Sequence, residues 1–303
     1  ALYDEMLPLK IIRAMERLRH WLRDNSKTQA RKNIAAHYDL GNDFYSLWLD
    51  DSMTYSSGIF TTGQESLEAA QEAKYAAMVD RMGVKAGDHV LEIGCGWGGF
   101  AEYAAARRGL RVTALTISQA QAEYARARMA RLGLSDQVEI RIQDYRDTRG
   151  TFDGIASIEM FEAVGMRYWP TYFKAVQERL KPGTQAVIQI IMVPDARFEA
   201  YRNHVDFIQK YIFPGGMLGA PGPVRRVAEA AGLTYIGTHD FGHSYSETLR
   251  RWNTAFAEHW GQITAMGYDE RFRRMWEYYL TSCAAAFKAG SCDVTQMVLR
   301  RPE

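Results

Sequence analysis

A glycine-rich loop between a predicted strand and a predicted helix holds the residue types best suited to bind a ligand. Residues 90–99 read VLEIGCGWGG, which predicts a buried strand that breaks into glycines. Glycine tolerates the positive φ of such a turn and lets a ligand approach the bare backbone. The N–H groups that begin the following helix attract electron-rich groups. The loop therefore predicts a cofactor site.

The identity of that cofactor depends on what surrounds the glycines. Gly94, Gly96 and Gly99 satisfy the dinucleotide pattern G-x-G-x-x-G, but an NAD site also needs an acid about 20 residues further on to hold a ribose. The second predicted strand has no acid at its end. The carboxylate of Glu92 before the first glycine and the aromatic Trp97 within the loop fit S-adenosylmethionine (SAM) better. We expect SAM, with NAD and a purely structural turn as the alternatives.

Composition limits the other classes of function. The 303 residues can bury a large core, and no run of 18 apolar residues predicts a membrane span. A net charge of +1 argues against a general nucleic-acid-binding surface. The first residues carry acids where a signal peptide needs bases, and Cys95, Cys283 and Cys292 lack metal-ligand spacing. We therefore expect a reduced, cytoplasmic protein without a metal site.

The N-terminal segment carries an uneven charge. Between Lys10 and Lys32 there are eight lysines and arginines against two acids, and apolar residues are interleaved partly at helical spacing. A basic amphipathic helix that contains an aromatic residue can lie on an anionic membrane surface. Residues 10–32 thus indicate a peripheral membrane protein on the inner face of the membrane, or else a solvated helix packed on its own domain.

The remaining pattern alternates between strands and helices, which predicts a parallel sheet with right-handed crossovers. Ligands then bind at the carboxyl ends of the strands, where the glycine loop lies. The last third departs from this alternation, with helices over 198–211 and 246–288 and strands over 233–238 and 294–300. Strands are expected near 88–93, 111–116, 137–142, 153–158 and 184–192, and helices near 66–82, 98–108, 118–132 and 168–180. The many aromatic residues of 246–288 could form core or wall an apolar pocket.

Six segments in one order resemble the cyclopropane-fatty-acid synthase family of SAM-dependent methyltransferases, which includes the mycolic acid cyclopropane synthases. The resemblance runs from about residue 37 to the end. The segments are 37–45 (HYDLGNDFY), 53–60 (MTYSSGIF), 115–118 (LTIS), 143–147 (QDYRD), 161–165 (FEAVG) and 211–216 (YIFPGG).

The resemblance implies a fold and a set of cofactor contacts. It implies an α/β, Rossmann-like class I methyltransferase sheet whose last strand is antiparallel. An N-terminal helical or lid segment would cover 1–65, and the methyltransferase domain would cover 66–303 with helical insertions at about 195–230 and 246–288. The SAM contacts are expected from Tyr55, Ser56, Glu92, Gly94, Gly96, Trp97, Thr116, Gln121, Gln143, Asp144 and Tyr145.

The resemblance also implies a reaction, the transfer of the SAM methyl group to a cis double bond of a phospholipid acyl chain. The family uses a bound bicarbonate as the base that removes a proton from the resulting carbocation. Glu162 and Tyr245 match residues that hold this anion, and Cys283 matches another pocket position. Ser57 stands where the family has a cysteine, and Gln189 stands where it has a histidine.

These departures leave the product open. Ser57 and Gln189 can still donate hydrogen bonds, but Gln189 carries no positive charge and would hold an anion less tightly. The product is therefore a cyclopropane, a methylene branch or a methyl branch. A small-amine N-methyltransferase and a lipid-binding protein without activity are the alternative functions. An unsaturated phospholipid and an anionic membrane are the expected partners, and a homodimer is an open alternative.

Overall fold

A seven-stranded mixed sheet forms the centre of the computed structural model, which describes residues 40–303. The strands are β1 His89–Ile93, β2 Arg111–Thr116, β3 Val138–Ile142, β4 Phe152–Ile158, β5 Leu180–Met192, β6 Thr234–Asp240 and β7 Asp293–Arg300. They lie in the order β3-β2-β1-β4-β5-β7-β6. Neighbours among β1 to β5 pair in parallel, and β7 runs antiparallel between β5 and β6. The predicted class I methyltransferase sheet with an antiparallel last strand is confirmed.

Helices cover both faces of this sheet because successive side chains of each strand point to opposite faces. The helices are α1 Asn42–Ser46, α2 Leu67–Met82, α3 Gly99–Arg108, α4 Gln119–Arg131, α5 Trp169–Arg179, α6 Asp195–Arg202, α7 Pro221–Ala230, α8 Gly242–Glu258, α9 Trp260–Ala265 and α10 Glu270–Lys288. Val90 packs with α2, α3 and α4 on one face, and Leu91 packs with α5 and α7 on the other.

A third apolar cluster lies above the carboxyl ends of the strands, where α8 to α10 pack against α1. Phe44, Trp48, Trp252 and Trp276 are almost fully buried there and meet mostly edge to face. The aromatic residues expected to form either core or pocket do both, since Phe287 belongs to this cluster and also lines the cavity described below.

Two predicted helices are interrupted, and each break has a local cause. The expected helix over 198–211 ends at Arg202, and a π-helical turn, Ile208–Ile212, follows. Asp206 and Gln209 bond each other's backbone N–H groups, which starts this separate turn. The expected helix over 246–288 is three helices, and the last two are separated at Gly267, whose φ of +97° a right-handed helix cannot contain. Residues 42–46 form the short helix α1.

No helix within residues 40–303 is long and apolar enough to cross a membrane. The basic segment 10–32 lies outside the described residues. The predicted boundary at residue 65 and the two predicted insertions stay predictions.

Candidate functional site

A cavity of about 580 Å³ opens at the carboxyl ends of the parallel strands. The ends of β1, β2, β4 and β5 contribute to its floor, and α8, α10 and residues 206–218 contribute to its opposite wall. The position agrees with the rule that ligands bind where parallel strands end and helices begin. All eleven residues predicted to contact SAM lie in its lining.

The glycine loop forms one end of the cavity. Gly94 and Gly96 adopt φ values of +86° and +52°, the left-handed region that side chains rarely tolerate. A Cβ atom on Gly94 would lie 2.7 Å from Cγ of Met160, whereas a Cβ atom on Gly96 would meet nothing within 4 Å. Gly94 is therefore needed for packing, and Gly96 keeps backbone exposed to the cavity.

Glu92 lies buried at the end of β1 beside this loop. Burial raises the pKa of Glu92 to about 8, against the opposing charge of Lys74. Its Oε2 atom is buried and has no hydrogen-bond partner among residues 40–303. An unpaired buried oxygen is unfavourable unless a ligand or water satisfies it. This orphaned oxygen and the open glycine loop fit a cofactor with hydrogen-bond donors, as the amino-acid part of SAM has.

The other end of the cofactor region is polar. Thr116 donates a hydrogen bond of 3.0 Å to the side-chain oxygen of Gln121, and both residues line the cavity beyond β2. Asp144 accepts from the Arg146 guanidinium at 2.6 Å and 2.7 Å. The backbone N–H of Arg146 also donates to Asp144, at 2.9 Å. Tyr145 presents its ring to the cavity and packs edge to face against Tyr172.

Three other residues predicted to contact SAM are hydrogen-bonded to groups of the protein. The Tyr55 and Tyr279 hydroxyls lie 2.9 Å apart. The indole N–H of Trp97 donates to Asn42 at 2.7 Å. Ser56 lines the cavity, and its hydroxyl accepts a hydrogen bond of 2.7 Å from the buried side chain of Lys74.

A carboxylate that sequence reasoning missed lies at the centre of the site. Glu159 directly follows β4, is partly buried and lines the cavity. Its Oε1 atom accepts from the backbone N–H of Ser57 at 2.9 Å and from the amide of Gln189 at 2.8 Å. Its Oε2 atom accepts from the Tyr245 hydroxyl at 2.6 Å. Three of the residues predicted to bind an anion therefore converge on this side chain.

Ser57 and Gln189 reach the site differently from what their side chains suggest. Neither lines the cavity, because both lie behind Glu159. The Ser57 hydroxyl donates to the carbonyl of Gly58, and only its backbone N–H faces the carboxylate. The amide oxygen of Gln189 accepts from Gln296, which orients its NH₂ group toward Glu159.

Glu162 is a second buried acid on the cavity wall. Its Oε1 atom accepts from the backbone N–H of Ile191 at 2.6 Å, and its Oε2 atom has no partner among the described residues. Burial, together with the charge of Glu159, raises the pKa of Glu162 to about 8. This shift favours the protonated form of Glu162 at neutral pH.

The other candidate groups differ in position. Cys283 lines the cavity, and burial raises the pKa of its thiol to about 12, which keeps it neutral. His243, a conceivable substitute base, is exposed and does not line the cavity. One signal could have revealed Glu159: an acid at the carboxyl end of a parallel strand, the usual position for ligand-contacting residues.

Comparisons with known proteins agree with this geometry. The family model described as mycolic acid cyclopropane synthetase matches residues 25–297. The chain is 41% identical to the tuberculostearic acid methyltransferase UfaA1 of Mycobacterium tuberculosis, over 98% of the chain and 72% of that protein. It is 39% identical to the cyclopropane-fatty-acyl-phospholipid synthase of Escherichia coli K12, over 88% of the chain and 66% of that protein.

A solved structure of the same kind superposes closely. The mycolic acid cyclopropane synthase CmaA1 complexed with SAH and CTAB is 29% identical, with a TM-score of 0.84. The match covers 89% of this chain and 97% of that one. The chain thus spans about two thirds of the E. coli relative and nearly all of the solved structure.

Proposed function

The chain belongs to the mycolic acid cyclopropane synthetase family, and from this premise we propose that it is a SAM-dependent C-methyltransferase acting on the double bond of an unsaturated phospholipid acyl chain. One observation carries the proposal. A single cavity is lined by the glycine loop, by an aromatic wall and by the acids Glu92, Glu159 and Glu162. This arrangement suits a polar cofactor at one end and an apolar substrate at the other.

The cofactor end is built for SAM. When bound, SAM supplies a methyl group that is electrophilic because it is attached to a positively charged sulfur. The backbone of Gly94 and Gly96, the carboxyl of Glu92 and the ring of Tyr145 would hold its amino-acid and adenine parts. Thr116 and Gln121 would hold its ribose.

The aromatic wall supports an apolar reaction partner. Phe213, Tyr245, Tyr279 and Phe287 line the cavity, with Tyr245 and Phe287 4.5 Å apart between ring centroids. An alkene is a poor nucleophile, so it must be held close to the methyl group in a site that excludes water. Aromatic faces also attract the positive charge that develops on the acyl chain.

The alternative functions account for less of the site. Coclaurine N-methyltransferase shares the fold at 19% identity, but a small amine needs neither an aromatic-walled cavity nor several converging buried acids. A lipid-binding protein without chemistry has no use for the glycine loop or for the orphaned oxygen of Glu92.

The proposal includes association with a membrane surface. Tyr211 and Tyr278 are 52% and 55% exposed, and Phe207 packs against both. Phe207 and Tyr278 also line the cavity, so this aromatic rim lies at the entrance an acyl chain would use. Aromatic residues favour the interface between lipid and water. The basic segment 10–32 supports the same partner, and a homodimer stays a prediction.

Mass spectrometry of lipids tests the function directly. The purified protein is incubated with SAM and vesicles of an unsaturated phospholipid, and a saturated phospholipid serves as the control. We expect one added CH₂ unit per modified chain on the unsaturated lipid only. Derivatising the remaining double bonds separates a ring from a methylene branch. Unmodified lipid, together with methylation of a small amine, would overturn the proposal.

A further inference from the structure

The anion site implied by the family resemblance is taken up by a side chain of this protein. The backbone N–H of Ser57, the amide of Gln189 and the hydroxyl of Tyr245 all donate to Glu159, at 2.6 to 2.9 Å. Ser57, Gln189 and Tyr245 are three of the four residues that were expected to hold a bicarbonate ion, and each donates to the Glu159 carboxylate instead.

Bicarbonate therefore does not fit the residues present. The three groups that would donate hydrogen bonds to bicarbonate already donate to Glu159. A second anion beside Glu159 would also meet a like charge in a buried environment, where repulsion is strong. Glu162, the remaining residue expected to hold the anion, offers no cation; its Oε1 atom accepts from Ile191, and only its Oε2 atom is left without a partner among the described residues. The only lysine among the described residues near these acids, Lys74, donates to Ser56 and Gln71.

The position of Glu159 is specifically built. Its backbone adopts a φ of +49°, one of two positive values among the non-glycine residues described. A left-handed backbone at a residue with a side chain is unfavourable and persists where the surrounding structure enforces it. Lys74 is also fully buried. Burial raises the pKa of Glu159 above its usual value and lowers the pKa of Lys74 to about 7, while the three donors and the charge of Lys74 oppose the rise at Glu159.

We propose that Glu159 is the proton acceptor of the reaction and replaces an exogenous bicarbonate. The inference rests on the proposed methyl transfer. The alkene electron pair forms a bond to the methyl carbon as the carbon–sulfur bond breaks, and a carbocation remains on the acyl chain. Glu159 takes a proton from this cation. The C–H electron pair then forms the third ring bond or, after a hydride shift within the chain, a C=C bond. The carboxylic acid later returns its proton to solvent.

Bicarbonate dependence is the decisive measurement. Turnover on an unsaturated phospholipid is measured in CO₂-free buffer and again with added bicarbonate, for the wild type, Glu159→Gln and Glu159→Gly. The glutamine variant keeps the shape but loses the base, and turnover should fall by about 10² to 10⁴, the span of a positioned acid–base group. The glycine variant suits the left-handed backbone and opens the anion site. Its activity should be low and should rise with bicarbonate.

The outcomes separate the inference from the proposed function. Wild-type turnover without bicarbonate, together with a rescued Glu159→Gly, supports the inference. An active wild type that requires bicarbonate, or a Glu159→Gln variant with near-normal turnover, overturns it. A wild type inactive on every unsaturated lipid in both buffers overturns the proposed function itself. Calorimetry should give unchanged SAM affinity for both variants, and exposed Glu229→Gln is the matched control.

Discussion

Tyr245 and Glu159 lie 86 residues apart in the chain, and the Tyr245 hydroxyl donates a hydrogen bond of 2.6 Å to Oε2 of Glu159. Tyr245 comes from α8 in the helical layer, and Glu159 follows a central strand of the sheet. Burial raises the pKa of Tyr245 well above its usual range, and the charge of Glu159 adds to this effect. The phenol therefore remains a donor, and one bond joins the two layers at the site.

Removing this hydroxyl should weaken catalysis more than binding. A hydrogen bond to a charged group is worth about 1.5–3 kcal/mol, so Tyr245→Phe should lower kcat by roughly 10- to 100-fold. KM for the phospholipid should change little, because the ring still lines the cavity. Steady-state kinetics measures the split. Tyr235→Phe on β6 is the control, and an equal loss there would contradict the prediction.

Gly96→Val should weaken SAM binding at least tenfold, about 1.4 kcal/mol, because its side chain would enter the cofactor end of the cavity. Gly150→Val is a closely matched control. Gly150 also has a positive φ, and a Cβ atom there would meet nothing within 4 Å, but this glycine does not line the cavity. Calorimetry on both folded variants separates backbone strain from lost binding. Equal affinity in the two variants would contradict the assignment of the loop to SAM.

Stability should fall as pH rises through the neutral range. The pKa of Glu162 is about 8 in the folded protein against a usual value of 4.5. Between these values the native state holds a proton that the unfolded state has released. Each such group lowers the free energy of unfolding by about 1.4 kcal/mol per pH unit there. The free energy of unfolding is measured with denaturant at pH 5 and pH 8. Its fall between these two pH values should be smaller for Glu162→Gln than for the wild type, and unchanged for Glu229→Gln.

The Glu162→Gln variant also tests whether Glu159 or Glu162 matters more for turnover. Because the raised pKa favours the protonated form of Glu162 at neutral pH, glutamine resembles the native side chain there. We expect Glu162→Gln to lose less turnover than Glu159→Gln when both are assayed side by side at pH 7. Equal or larger loss at Glu162 would favour Glu162, which the family resemblance assigns to holding the anion, over Glu159 as the acid essential for turnover.

Lys74 should set the pH range in which the enzyme works. Its buried charge helps to keep Glu159 ionised, so Lys74→Met should raise the pKa of that acid. The decline of kcat/KM on the acid side should then begin at a higher pH, by about one unit or more. Exposed Lys85→Met is the control. A lowered rate with an unshifted pH profile would make Lys74 purely structural.

Membrane association should have two separable components. Tyr211→Ser with Tyr278→Ser should reduce co-sedimentation with phospholipid vesicles at any salt concentration, because aromatic insertion is not screened. Replacing Arg13, Arg17 and Arg23 with glutamate should reduce it on anionic vesicles at low salt, since each basic residue contributes roughly 1 kcal/mol there. Ile236→Ser, which is 45% exposed on β6, is the control for the rim.

Periodicity predicted most of the fold because buried strands and amphipathic helices leave a regular apolar pattern. It did not predict the break at 203–207, which depends on the mutual hydrogen bonds of Asp206 and Gln209. The residues that the family resemblance assigns to SAM all line the cavity. Residue types could not predict that Ser57 uses its backbone rather than its hydroxyl, since this depends on the position of Glu159 across the fold.

The left-handed backbone at Glu159 has a genetic consequence. Glycine is the residue that this backbone accommodates most readily, and glycine and glutamate codons can differ by a single base. One point mutation therefore connects an enzyme that encodes its own base with one that must borrow an anion from solution. Dependence on dissolved carbon dioxide can thus be gained or lost in one evolutionary step, with the surrounding donors already in place.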